Sequence, residues 1–522
     1  MMSSVERRAL VLLIALAFAL DFLFYTGLFA SDDTSYLYAA RYLGGDRTHS
    51  FPPSLTNARL GINIPNAIFY WLTGGDVSWV AWGNCLYHLG LVALAFAIGR
   101  LLYDGLSGLV AAGIVATSPI FYVFAGAILP DNAVALWLAL SLLCLLLAHR
   151  RTGNNLALYV AAGACIGVSY TCKETGLIMI VPAGVAVVLS APFLRSSQWF
   201  VRGVALVAGL ALVVAIEVLW LRCLTGEWVW RLSLVKEFEG HVGDLSHSQG
   251  YWPWERIPFA ISELARYAPV VTSVLVIAAI VHAIRPGRNQ QLLLFFWWPA
   301  LYLTIGSAGF TSYNPPPIAP RYYAIMWMPG AVIVAREAVH LCRQLTRLSA
   351  WPKWLTAPLL LVSLTIASSW VEVQHNHQRA GNIYRASQVR SFVAAYEYAR
   401  AEYPDLPIML GPEFRNRMTT LFFPRAPADV YVHSYLSGRQ TPPPAPPYIY
   451  LIEADGEYGA EGELLSSARK ITEISAAPSR WHFIADTVGW LFGGDRPRPR
   501  LDSDQARATA VFLVPAAEDR QR

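Results

Sequence analysis

The sequence predicts a polytopic α-helical membrane protein with about 11 spans and a C-terminal α/β domain outside the membrane. Three observations carry this. Of the 522 residues, 55% are hydrophobic and only 14% charged. Apolar runs of spanning length recur through the first two-thirds of the chain, and after Trp370 the composition turns charged and proline-containing. An ordinary soluble domain is about 25% charged, so several soluble domains of this total length would lack the polar skin each needs. An extended secreted protein, a nucleic-acid binder and a disordered tail protein are disfavoured on the same ground.

In chain order the apolar runs fall at 9–30, 78–99, 106–126, 131–149, 156–172, 175–194, 203–222, 268–284, 291–310, 321–340 and 355–372. Each is long enough for the hydrocarbon core, where a helix satisfies its own backbone. The first follows Arg7 and Arg8. It is longer than the apolar region of a signal peptide and further spans follow it, so it reads as an uncleaved first helix. The six cysteines lie in or beside apolar segments without a CxxC pair and read as small core residues.

The short connections carry Arg7/Arg8, Arg100, Arg150/Arg151, Arg195/Arg202, Arg285/Arg288 and the Arg336–Lys353 cluster. Placing all of them in the cytoplasm satisfies the positive-inside rule at every one. The expected division is a transmembrane module over 1–372 and an extracytoplasmic domain over 373–522, in the inner membrane of a bacterium with that domain in the periplasm.

Outside then lie loops 31–77 and 223–267, a Pro-rich turn at 311–320 and the terminal segment. Asp33–Leu43 sets Tyr36, Ala40 and Leu43 on one face and reads as a short helix along the membrane surface. The terminal segment alternates a helix-like 386–403, a strand-like Leu406–Leu410, a helix-like 412–421 and a strand-like Tyr448–Ile452, with a rigid loop at Pro442–Pro447.

Ionisable groups near the membrane are the informative ones in such a chain. Four clusters fall on the same predicted face: Asp32-Asp33 after the first span, Pro130-Asp131-Asn132, Lys173-Glu174 and Arg321-Tyr322-Tyr323. Singly, each has an ordinary reading. Asp is a good N-cap, and Lys or Arg can snorkel from an interface. Jointly, two carboxylate sites and two cations on one rim suit a transfer reaction with an anionic leaving group. A carboxylate can take the proton of an acceptor hydroxyl. Arg and Lys can neutralise the charge that develops on a departing phosphate. A second carboxylate, Asp131 or Glu174, can orient the acceptor or, with the first, hold a divalent cation.

The run S-D-D-T-S-Y-L-Y-A-A-R-Y-L after the first span resembles the first outer loop of GT-C membrane glycosyltransferases, which include the protein-O-mannosyltransferase relatives and the lipid A aminoarabinose transferases. Phe51-Pro52-Pro53 and Arg59-Leu60-Gly61 with Pro65 resemble the continuation of that loop. L-P-D-N, T-C-K-E-T-G and P-R-Y-Y sit where that superfamily has polar motifs, so the resemblance covers about 9–340. It implies a polyprenyl-phosphate sugar donor, and transfer of one sugar, with inversion, to a lipid, polysaccharide or protein hydroxyl on the non-cytoplasmic face.

By the same resemblance Asp32 is the candidate base, with Asp33 standing where many relatives carry Glu. Lys173, Arg321 and Arg59 are candidate phosphate contacts, with Tyr36 and Tyr322 beside them. The W-W-D type of signature seen in oligosaccharyltransferases is missing. A lipid-linked donor has independent support, since every predicted cytoplasmic loop is short and none offers a glycine-rich phosphate turn after a strand.

Weaker signals read as ordinary structure. His241, Asp244 and His247 have metal-ligand residue types but read as a solvated loop, and His375 and His377 as a polar stalk. Trp228, Trp230, Tyr251, Trp252 and Trp254 read as an interfacial belt, with stacking on a sugar as the alternative. Glu217 is expected to face the bundle interior, and Glu227, Lys236 and Glu255 to be exposed. The competing function is a transporter or flippase for a lipid-linked sugar. That class should show two matching halves with broken helices and charge at the midplane; the sequence shows no halves, and its polar clusters lie at one rim.

Overall fold

The computed structural model describes residues 2–23, 32–45, 54–75, 77–150, 155–189, 198–235, 249–250, 252–267, 269–285, 289–307, 313–348, 391–392, 394–410, 430–432, 447–453, 468–475 and 508–514. The run 355–372, the helix-like 412–421, most of Pro442–Pro447, Phe51–Pro53, Lys236, Tyr251, the His241–His247 motif and His375/His377 lie outside these residues. The fold is mostly helical.

Helix α1 (Ser4–Leu23) starts on a reciprocal cap. The Ser3 amide donates to Glu6 Oε2 at 2.7 Å and the Glu6 amide to Ser3 Oγ at 3.1 Å, which satisfies two free helix-end donors at once. Helix α2 (Asp32–Leu43) opens on two acids that suit the positive end of its dipole. A helical turn at Leu55–Ala58 precedes α3 (Leu60–Leu72), and Arg59 between them is non-helical at φ −79°, ψ 74°. The sequence places 55–72 within the outer loop 31–77, and Gly61 and Pro65 weaken the helical pattern there. The helix forms because its inner face, Leu60, Ile62, Asn63 and Ala67, is buried. The face of α2 with Tyr36, Leu37, Ala39 and Ala40 is likewise fully enclosed, so α2 is part of the packed bundle as well as a rim element.

The next helices are α4 (Cys85–Leu102), α5 (Gly105–Thr117), α6 (Pro119–Ala125), α7 (Asp131–Arg150), α8 (Leu156–Cys172), α9 (Ile180–Leu189) and α10 (Gln198–Thr225). They are followed by α11 (Pro253–Tyr267), α12 (Pro269–Ile284), α13 (Gln290–Ile305) and α14 (Ala324–Leu348). Among the described residues four helices are long and apolar enough to cross a membrane: Trp79–Leu102, Asp131–Arg150, Gln198–Thr225 and Arg321–Gln344. The bent pair α5–α6 makes a fifth if it is one span, with a 51° angle at the break. Pro119 stands at the first helical position after Ser118, where its missing N–H costs nothing. Other expected spans are shorter apolar helices, Leu156–Cys172, Glu174–Leu189 and Thr272–Ile284.

Helix α14 and helix α7 are central and mostly enclosed, whereas α10 is peripheral. At one end of the bundle, segments carrying the short basic connections meet. Arg100 lies 3.7 Å from Glu6, Arg343 2.7 Å from Asp104, and Arg285 2.8 Å from Glu337. His282 also contacts Glu337, at 3.0 Å. Arg343 and Arg321 sit at opposite ends of the α14 segment, roughly 30 Å apart along a helix.

Helices α8 and α10 pack backbone to backbone. A Cβ on Gly163 would overlap the carbonyl oxygen of Leu206 and stand 3.0 Å from the Leu210 amide, the close approach that small residues allow inside a bilayer.

Beyond the helices a five-stranded sheet forms in the order β2-β1-β3-β5-β4, from β1 (Ile408–Leu410), β2 (Val430–Val432), β3 (Tyr448–Glu453), β4 (Arg469–Ser475) and β5 (Ala508–Val514). β1 pairs in parallel with β2 and β3, and β5 antiparallel with β3 and β4. Helical residues 394–402 lay Ala395, Tyr396 and Ala399 on Ile408, Ile449, Leu451 and Val511.

The glycine contact is testable. Gly163→Ala should cost about 1–3 kcal/mol of stability and lower the thermal transition in detergent. Gly203→Ala, where nothing lies within 4 Å, should leave the transition in place.

Candidate active site

The four clusters converge at the end of the bundle opposite the basic connections. Asp131 opens α7 with 5% of its side chain exposed. Lys173, at the end of α8, donates to Asp131 Oδ1 at 2.7 Å. Arg321, in the single 3-10 turn Pro320–Tyr323 before α14, approaches Asp131 Oδ2 with Nε at 3.5 Å and Asp32 Oδ2 with Nη2 at 3.6 Å. Tyr322 lies between the cations, with Lys173 Nζ 3.4 Å and Arg321 Cζ 5.4 Å from its ring centroid. Asp32 is the open member, 45% exposed. Asp33 is fully buried.

A second circuit starts one residue along. Lys173 is extended, at φ −163° and ψ 142°, and Glu174 opens the 3-10 turn Glu174–Met179. Glu174 Oε2 receives Arg59 Nη2 at 2.7 Å, and Oε1 receives Arg231 Nη2 at 2.8 Å. Arg59 also donates to the hydroxyl of Tyr36, one helical turn after Asp32 on α2. Arg231 donates to Glu217 on α10 and to the Tyr170 carbonyl at 2.8 Å. Gly61 makes this approach close, since a Cβ there would stand 2.7 Å from the Cys172 amide.

Burial pushes the Glu174 carboxyl up, but Arg59 and Arg231 outweigh it and hold the group at about 2. Burial pushes the Tyr36 hydroxyl up, so it stays protonated.

All nine residues singled out from sequence therefore belong to one connected region or lie in its packing. Asp32, Asp131, Lys173, Arg321 and Tyr322 form the outer circuit, Tyr36, Arg59 and Glu174 the inner one, and Asp33 is enclosed beside Asp32. Both oxygens of Glu174 face arginines, and the Arg59 guanidinium is engaged by Glu174 and Tyr36. No group of three His, Cys, Asp or Glu side chains suited to a metal occurs among the described residues.

Sequence reading missed Arg231, which was hidden among the loop aromatics. A single cation within V-W-R-L was the available signal. Trp230 beside it is buried with Leu55, Ala58, Leu60 and Leu221, so it is core and not belt. Trp228, Trp252 and Trp254 are exposed, the last two stacked at 5.2 Å. Asp21 and His88 were missed too. They form a fully buried pair at 2.7 Å, with His88 Nε2 3.1 Å from the Val115 carbonyl. Because a carbonyl can only accept, Nε2 carries a proton, and a second proton lies between Nδ1 and Asp21.

The inner circuit yields a prediction. A carboxyl held below its ordinary 4.5 contributes stability that is present above that value and lost as pH falls towards about 2. Protease cleavage within loop 31–77 should therefore rise as pH is lowered through this window, and Glu174→Gln should show the raised cleavage already at neutral pH.

The family model for dolichyl-phosphate-mannose-protein mannosyltransferase matches residues 65–220. No curated protein matches the sequence. Among solved structures the chain is similar to ArnT from Cupriavidus metallidurans bound to undecaprenyl phosphate, at 14% identity and TM-score 0.57, over 96% of this chain and 97% of that one. It is similar to the apo state of the same ArnT at 13% identity and TM-score 0.53, over 98% of each chain. The archaeal oligosaccharyltransferase AglB from Archaeoglobus fulgidus aligns at 12% identity and TM-score 0.48, over 80% of this chain and 63% of that one. Residues 65–220 thus match a family of membrane mannosyltransferases, and the chain as a whole has a fold similar to that of ArnT.

Proposed function

We propose that the protein transfers a single sugar from a polyprenyl-phosphate donor to a hydroxyl of a lipid, polysaccharide or protein acceptor on the outer face of a bacterial inner membrane. The observation that carries this reading is the exposed Asp32 carboxylate 3.6 Å from the Arg321 guanidinium. It sets a base and an anion-binding group side by side at a helix-bundle rim. The undecaprenyl phosphate bound to the similar ArnT supports the donor class.

In this mechanism Asp32 removes the proton of the acceptor hydroxyl as its oxygen bonds to the anomeric carbon. The bond from that carbon to the phosphate oxygen breaks, its electron pair stays on the phosphate, and the configuration inverts. Arg321 and Lys173 neutralise the departing phosphate, Arg321 through a two-pronged guanidinium contact and Lys173 as a point charge. Asp32 takes the base role in preference to Asp33 because its carboxylate is exposed while Asp33 is enclosed. Arg59 acts by holding Tyr36, and with it α2, since its N–H groups already face Glu174 and Tyr36. Residues 373–522, which include the five-stranded sheet, form the extracytoplasmic domain beside a transmembrane module over 1–372.

Two variants test the roles. Asp32→Asn should lower the transfer rate about 10²–10⁴-fold while the protein still folds and binds polyprenyl phosphate. Wild-type activity in both Asp32→Asn and Asp33→Asn would remove the mechanism. Arg321→Ala should lower kcat/KM for the donor about 10²-fold with a much smaller change in the acceptor KM. The reverse pattern would take Arg321 out of the phosphate site.

A further inference from the structure

The cations of the two circuits are not held alike. Lys173, Arg59 and Arg231 each make ion pairs at 2.7–2.8 Å, the length of a charge-assisted hydrogen bond. Arg321 reaches Asp131 and Asp32 only at 3.5 and 3.6 Å. Two buried atoms that face each other there, Arg321 Nε and Asp131 Oδ2, have no hydrogen-bond partner. Lone buried polar atoms are costly, so this long, poorly made contact leaves both groups able to take a better partner. The Arg321 side chain is also 18% exposed, against 9% for Lys173, 10% for Arg59 and 5% for Arg231.

We infer that Arg321 is an exchangeable partner: it holds Asp32 in the free protein and passes to the donor phosphate when that binds, releasing Asp32 to act on the acceptor. The inference rests on the transferase reading above and adds an order of events to it. The chemistry is a competition between two oxyanions for one guanidinium. A carboxylate at 3.6 Å and partly in solvent is a weak competitor, whereas a phosphate oxygen pair matches the guanidinium fork. Asp131 stays behind, because Lys173 already pairs with its other oxygen at 2.7 Å. Freed from its cation, Asp32 can turn to the acceptor hydroxyl, so the acceptor is engaged only once a donor is in place. Hydroxyl acceptors that reach the empty site meet a carboxylate still tied to Arg321.

Competition makes a prediction that simple positioning does not. Undecaprenyl phosphate is titrated into the purified full-length protein in detergent, and binding is compared for the wild type, Asp32→Asn, Arg321→Gln and the double variant. Asp32→Asn should bind about 2–5-fold tighter than the wild type, the worth of one partly exposed ion pair. Arg321→Gln should bind more weakly, and Asp32→Asn should add nothing in that background. Asp32→Glu, which keeps the charge, checks the local fit and should not tighten binding.

Equal or weaker binding by Asp32→Asn overturns the exchange. So does tightening that persists in the Arg321→Gln background, since that is long-range charge acting without a shared partner. A wild type that binds undecaprenyl phosphate but gives either result loses the exchange alone. A wild type that does not bind it at all loses the polyprenyl-phosphate donor, and the exchange with it.

Discussion

A carboxylate enclosed at the mouth of an apolar bundle has to be matched by positive charge, and Asp131 governs the site because it is matched from two directions. An isolated ion in such surroundings costs several kcal/mol even after relaxation. Lys173 answers it at 2.7 Å from the end of α8, and Arg321 at 3.5 Å from the start of α14. Three elements distant in sequence are thereby drawn to one point. Asp32 on α2 joins them through Arg321, which brings the first outer segment over the bundle.

The inner circuit solves the same problem for different elements. Glu174 binds Arg59 from the segment before α3 and Arg231 from the segment after α10, while Arg231 neutralises Glu217 within α10. Its pairs are short and mostly enclosed, as expected of structural clamps. The outer circuit ends in a loosely held arginine and an exposed carboxylate. Both are built from the same residue types, and distance with exposure separates clamp from working site. Deeper still, Asp21 and His88 join α1 to α4 around a shared proton, a third solution to charge at membrane depth.

Much of this was legible in the sequence, for physical reasons that also mark the limit. The long apolar runs gave α4, α7, α10 and α14, since hydrophobic length is what a spanning helix requires. Clusters at Asp32, Asp131, Lys173 and Arg321 stood out because charge at the edge of an apolar run is expensive and therefore rarely incidental. Helix α3 was not legible, since Gly61 and Pro65 weaken its local pattern and only burial against α2 and α8 secures it. Arg231 was hidden by its aromatic neighbours. The strands β2, β4 and β5 were missed because their pairings join residues far apart in the chain. No local pattern encodes such partners.

The extended residue at Lys173 has a geometric consequence. Along a helix, neighbouring side chains point about 100° apart, so a helix continuing through 173 and 174 would aim both into the same half of the surroundings. An extended residue instead throws successive side chains to opposite sides. By leaving the helix at that one position, the chain acts as a splitter. A single peptide unit sends its cation to the carboxylate of α7 and its carboxylate to two arginines on the far side. The two circuits therefore share a backbone joint but no side chain, so one can rearrange its charges while the other keeps its grip.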